Sequence, residues 1–146
     1  MPTMYTIGYQ GRPLSEFITV LQEAGVDAII DIRLRNTSHL AGYTKRADLA
    51  FLLYAGFGIA YEHRLELAPT DEILDTYSVE HDWPAYETRF QDLLAERDVV
   101  AVGAEILARY HAPCLLCREA TADHCHRRLV AEYWIAHIPG LSVLHL

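Results

Sequence analysis

Between residues 114 and 128 the chain reads CLLCREATADHCHRR, a run that holds all three of its cysteines. A thiol is a nucleophile or a metal ligand once it loses its proton, and an imidazole moves protons near neutral pH. Residues 113–117 read as a buried strand and residues 125–138 as a helix, so the turn between them delivers Cys125, His126 and Arg127 to a helix mouth. Unpaired backbone N–H groups and partial positive charge gather there and favour an anion. The same field predicts a stabilised thiolate at Cys125. Arg127, with Arg128 beyond it, offers a bidentate clamp for phosphate or carboxylate. Glu119 and His126 are the candidate proton carriers, and Cys117 is a second candidate thiol. Cys114 reads as a core residue.

Cys114, Cys117, Cys125 and His126 also spell C-x2-C-x7-C-H, the content of a Cys3His zinc set. Two features count against it. Residues three apart on a strand point to opposite faces, and the adjacent Cys125 and His126 make an awkward chelating pair. Zinc is therefore the secondary reading, and no cofactor is assigned. Gly8 and Gly11 lack the third glycine of a dinucleotide loop. His39, His81, His111, His124, His137 and His145 read as surface or packing residues, and Trp83, Tyr86 and Trp134 as core or interface aromatics.

Strand and helix patterns alternate along the chain. Residues 4–7 form a short β-prone run closed by Gly8. Residues 13–24 place Leu14, Phe17, Ile18 and Leu21 at helical spacing, with Ser15 as N-cap and Gly25 as stop. Residues 27–32 are a continuous apolar strand, 46–54 a helix ended by Gly56, and 59–62 a third strand. Residues 64–83 read as loop with a short helix, 86–96 and 99–110 as helices, and 141–146 as a last strand. This order predicts a single α/β domain over 1–146, with a mostly parallel sheet of about five strands and helices on both faces.

Ligands of such sheets bind beyond the carboxyl ends of the strands. Those ends supply Tyr9 and Arg12, then Asp31 and Arg33, then Glu62 and His63, then Cys117 and Glu119. Asp31 joins the candidate proton carriers, and Arg33, Tyr9, Arg12 and His63 join Arg127 as candidate substrate-binding groups.

The totals narrow the class. Twenty acidic against 12 basic residues give a net charge of -8 over 146 residues, which argues against coating nucleic acid non-specifically. A small anion needs only a few local arginines. No apolar run has membrane-spanning length, and no secretory leader pattern opens the chain. An odd number of cysteines fits reduced thiols and a cytoplasmic setting. The final strand, LSVLHL, and the nearby Trp134 offer an edge for a homodimer.

TIGYQGR at residues 6–12, AGVDAIIDIR at 24–33, GIAYEH at 58–63 and CLLCREATADHCHRRLVAEY at 114–133 together resemble the domain-of-unknown-function 488 family. The resemblance spans nearly the whole chain. It implies an α/β sandwich with a pocket built from Asp31, Arg33, Cys117, Glu119, Cys125, His126 and Arg127, and it brings no assigned reaction. The chain departs from the family pattern after the third strand, where RLELAPT at 64–70 replaces P-x-L-G-G. The expectation is an enzyme, a hydrolase or group transferase, acting on a small anionic or nucleotide-like substrate. A non-catalytic nucleotide or nucleic-acid binding module and a zinc-binding structural domain stay open beside it.

Overall fold

The computed structural model describes residues 2–146. Its strands are β1 (Thr3–Gly8), β2 (Ala28–Asp31), β3 (Ala60–His63), β4 (Pro113–Cys117) and β5 (Ser142–His145), and its helices α1 (Leu14–Ala24), α2 (Arg46–Phe57), α3 (Asp71–Glu80), α4 (Trp83–Glu96), α5 (Val99–Arg109) and α6 (His126–His137). Segments of 3-10 helix lie at His39–Thr44, kinked at Gly42, and at Leu65–Leu67. The sheet order is β3-β2-β4-β1-β5, and every pairing is parallel.

Side-chain alternation along the strands explains the layers. Ile7, Ile29, Cys114 and Leu116 point to one face, where Phe17 and Leu21 of α1 and Leu49 and Leu53 of α2 cover them. Met4, Ala28, Ile30 and Leu115 point to the other, packed beneath Phe90 and Leu94 of α4, Ile106 of α5 and Leu129, Val130 and Trp134 of α6. With helices on both faces, the central strands are apolar on both sides. All five residues of β4 are buried.

Adjacent strands β1 and β4 send their chains in opposite directions. β1 leaves through α1 toward β2, and β4 leaves through α6 toward β5 on the other face. That makes their carboxyl ends the topological switch point of the sheet, the place where such folds leave a crevice. Gly8 and Cys117 are register partners there.

Several expectations shift. Helix α1 is capped by Pro13, with no side-chain cap bond, so Ser15 falls inside the first turn. Helix α2 runs through Gly56 and stops at Gly58, whose positive φ lets its N–H reach back to Leu53 and Tyr54. The short helix expected within residues 64–83 is Asp71–Glu80. Thr70 caps it by accepting from the Ile73 N–H, and Asp71 and Glu72 suit the positive helix start. Trp134 is fully buried, with its ring against Gly103 and its indole N–H donating to the Val99 carbonyl at 2.8 Å, so it contributes nothing to an exposed edge. No helix among the described residues is long and apolar enough to cross a membrane.

Candidate active site

Cys117 closes β4 and His126 opens α6, with the turn between them folded back on itself. Cys117 Sγ lies 3.3 Å from His126 Nδ1. His126 Nε2 lies 2.6 Å from the Ile32 carbonyl. A carbonyl only accepts, so Nε2 carries a proton and the neutral ring presents a bare Nδ1 to the thiol. Cys125 joins them: the ligand atoms of Cys117, Cys125 and His126 all lie within 4.8 Å of one another. The adjacency of Cys125 and His126, awkward on a regular helix, is resolved by the cap. Cys125 has extended dihedrals (φ -136, ψ 139) while His126 is already helical, so both side chains turn to the same place. Cys114 lies in the opposite layer of the sheet, as strand alternation requires.

The two thiols differ. Burial raises the Cys117 pKa, but the Cys125 thiol, the backbone N–H groups of Arg118 and Glu119 and the positive charge of Arg127 outweigh it, and the net shift is downward. For Cys125, burial, its hydrogen bond to Cys117 and the developing charge on Cys117 push the pKa well up. The stabilised thiolate expected at Cys125 therefore belongs to Cys117. Helix-terminal charge is outweighed by desolvation at the cap and by the proton Cys125 gives its neighbour.

The turn is held by close backbone contact. The Gln10 N–H donates to the Arg118 carbonyl at 2.9 Å, and Arg127 Nη1 donates to the Glu119 carbonyl. Arg127 Nε donates to Thr6 Oγ1 at 3.2 Å, and that hydroxyl lies 2.6 Å from His145 Nδ1. Arg127 is only 1% exposed, lies outside the cavity wall and props the turn through these bonds. Arg128 ties the same turn to α4, from Nε to the Asp123 carbonyl and from Nη2 to Glu87.

Asp31 and Arg33 form a buried ion pair. Arg33 Nε and Nη2 donate to the two carboxylate oxygens at 2.9 and 2.8 Å, and the Arg33 N–H, Asn36 Nδ2 and the Tyr61 hydroxyl also donate to them. Burial raises the Asp31 pKa, but Arg33 and Tyr61 more than reverse this and keep the carboxyl ionised. With five donors on it, Asp31 has no lone pair left to take up a substrate proton. Arg33 also donates to the Thr44 hydroxyl and carbonyl, which leaves it one unused N–H. His63 Nε2 meets the Arg33 carbonyl at 2.7 Å, and Arg12 donates to the Gly8 carbonyl and Glu16. Asp31, Arg12 and His63 stand behind the site, outside the cavity wall.

The cavity itself measures about 450 Å³ and opens over Cys117, Cys125 and His126. Tyr9, Arg33 and Glu119 line it. Tyr77, Trp83, Tyr86, His124, Arg35 and Arg118 also line it; of these, the sequence places Trp83 and Tyr86 in the core or an interface and His124 on the surface or in packing. Trp83 stacks with both His124 and Tyr86, and Phe90 meets the His126 ring edge-on at 5.5 Å. The only advance signal was the cluster of aromatic and histidine residues at 81–86, in a segment with weak periodicity.

Residues 13–134 match the family described as Domain of unknown function DUF488. The chain belongs to this family. The matched span contains the whole cavity wall except Tyr9. No curated protein and no solved structure matches the chain.

Proposed function

We propose that this protein is a thiol-dependent enzyme that hydrolyses, or transfers a group from, a small anionic or nucleotide-like substrate, with Cys117 as nucleophile and His126 as proton carrier. The observation that carries this reading is the 3.3 Å approach of Cys117 Sγ to His126 Nδ1, with the ring's other nitrogen fixed on the Ile32 carbonyl. A nucleophile, a base and a group orienting the base are the three parts a covalent mechanism requires.

The Cys117 proton passes to His126 Nδ1, and the sulfur forms a bond to an acyl carbon or phosphorus of the substrate. The bond to the leaving group breaks, taking its electron pair, and His126 returns the proton to it. Water then gives a proton to His126 while its oxygen displaces the sulfur, which recovers its proton. Cys125 positions Cys117 by hydrogen-bonding its sulfur. Glu119 at the mouth is a second proton carrier, and Asp31, Arg33 and Arg127 keep the strand ends in place. The chemistry needs a free thiol, which supports a cytoplasmic setting.

Timed alkylation with iodoacetamide at neutral pH tests the reading. Cys117 is expected to label first, His126→Asn to slow that labelling at least tenfold, and Cys114 to stay unlabelled while the protein is folded. Labelling of Cys117 no faster than an unfolded-chain thiol would sink the proposal.

A second reading is favoured by the convergence of two sulfurs and one imidazole nitrogen. Cys117, Cys125 and His126 would supply three ligands to zinc and leave a fourth position toward the cavity. His126 Nε2 on a backbone carbonyl is the usual support for a ligating histidine. Co(II) titration separates the two: thiolate-to-cobalt absorption at one equivalent, lost in Cys125→Ser, supports the metal site, and its absence leaves the thiol mechanism alone.

A further inference from the structure

Resting on the reading of this cavity as a substrate site, we infer that its ligand joins a flat aromatic or heteroaromatic ring to a phosphate or carboxylate, the ring lying against Tyr77, Trp83 and Tyr86 and the anion pairing with Arg118.

Three observations carry this. The wall of α3 and α4 is aromatic and already locked. Tyr77 meets Trp83 edge-on at 5.8 Å, Trp83 stacks on Tyr86 at 4.8 Å, and Tyr77 lies 5.2 Å from Tyr86. Rings held by one another lose little side-chain entropy when a ligand arrives, and they favour an incoming ring through offset and edge contacts.

Tyr86 provides the second. Its residue is 3% exposed and lines the cavity, yet its hydroxyl has no hydrogen-bond partner among the described residues. No fully enclosed side-chain nitrogen or oxygen among those residues lacks a partner, so the Tyr86 oxygen opens to the cavity. A ligand that displaces water from this hydroxyl leaves it unpaired in an apolar wall, at a cost, unless the ligand supplies a partner of its own. A ring nitrogen or carbonyl oxygen meets that need, and an aliphatic chain does not.

The third is Arg118. Arg33 is committed to Asp31, and Arg35 bonds Asp71 and Asp75. Arg118 lines the same cavity, and its guanidinium makes no hydrogen bond or ion pair among the described residues. It directly follows Cys117, so an anion held there lies beside the thiol while the ring extends toward Tyr86. The volume, about 450 Å³, falls within the range of small-molecule sites.

Isothermal titration of the full chain, with Trp83 fluorescence as a second readout, tests the inference. The probes are phenyl phosphate, the nucleoside 5′-monophosphates, the parent nucleosides and inorganic phosphate. At least one ring-bearing anion is expected to bind tenfold or more tightly than inorganic phosphate and than its uncharged counterpart, and to quench fluorescence. Phenyl phosphate and the nucleotides separate an aryl from a nucleobase ligand. Arg118→Ala, an exposed position that leaves the fold intact, is expected to weaken binding at least fivefold, and Tyr86→Phe to weaken it similarly without changing the melting temperature much. Absence of binding by every ring-bearing anion, or affinities unmoved by Arg118→Ala, overturns the inference. Two measurements separate it from the thiol mechanism: binding that persists in Cys117→Ala shows the ligand class stands without the thiol, and a wild-type Cys117 that alkylates no faster than an unfolded-chain thiol sinks the mechanism alone.

Discussion

A β-carbon added to Gly8 would lie 1.6 Å from the Glu119 carbonyl oxygen and 2.7 Å from Arg127 Nη1. The end of β1 and the turn after Cys117 therefore pack backbone to backbone, with no room for any side chain. The glycine of the TIGY run is fixed by this approach, since its φ is not in the left-handed region.

Gly8→Ala forces that turn outward, because the nearest obstructing atoms, those of the Glu119 carbonyl, are backbone and cannot rotate away. The expected result is a loss of about 1–3 kcal/mol in urea unfolding, in the range of overpacked interiors. A drop in the alkylation rate of Cys117 accompanies it. An unchanged rate would show that the turn is not positioned by β1.

Asp31→Asn removes the charge that Arg33 faces in the interior. The guanidinium is left buried and uncompensated, and the expected cost is about 3–5 kcal/mol in urea unfolding. The carboxyl's folded pKa is lower than its ordinary 3.8, so the wild-type contribution is complete above that value and is lost as pH falls through the lower folded one. The variant should show no such acid-dependent loss from this site.

Thr6 Oγ1 accepts from Arg127 and lies 2.6 Å from His145 Nδ1, which places the His145 ring beside a buried guanidinium. Burial and the nearby Arg127 charge lower the His145 pKa below its ordinary 6.5. The unfolded chain then takes up a proton before the folded one does. Stability is therefore complete above about 6.5 and declines as pH falls from there toward the folded value. Urea midpoints measured between neutral and mildly acidic pH should show this decline, and His145→Gln should flatten it.

Cys125→Ala removes the thiol that hydrogen-bonds Cys117. The Cys117 pKa should rise, and its alkylation rate at neutral pH should fall several-fold while the rate at high pH is little changed. A faster reaction at neutral pH would contradict the positioning role given to Cys125.

Much of this architecture was legible in the chain. Alternating apolar runs and helical periods gave the five parallel strands, and strand parity alone moved Cys114 away from Cys117. The proximity of Cys117, Glu119, Cys125 and His126 followed from a short turn joining one strand to one helix. Local spacing decides such matters because the chain has little freedom over so few residues.

The tertiary structure decided which charges are free. Asp31, Arg33 and Arg127 read as ligand-facing groups in sequence, and packing gives each of them buried partners: Asp31 and Arg33 bond one another, and Arg127 bonds Thr6 and the Glu119 carbonyl. Tyr77, Trp83 and Tyr86 reach the cavity only because α3 and α4 fold over the ends of β2 and β4 from distant sequence. Burial and partner choice set the order of the two thiol pKa values, placing the lowered one on Cys117 at the strand end rather than on the helix cap. A one-dimensional pattern carries neither quantity, since both depend on what lies across the fold.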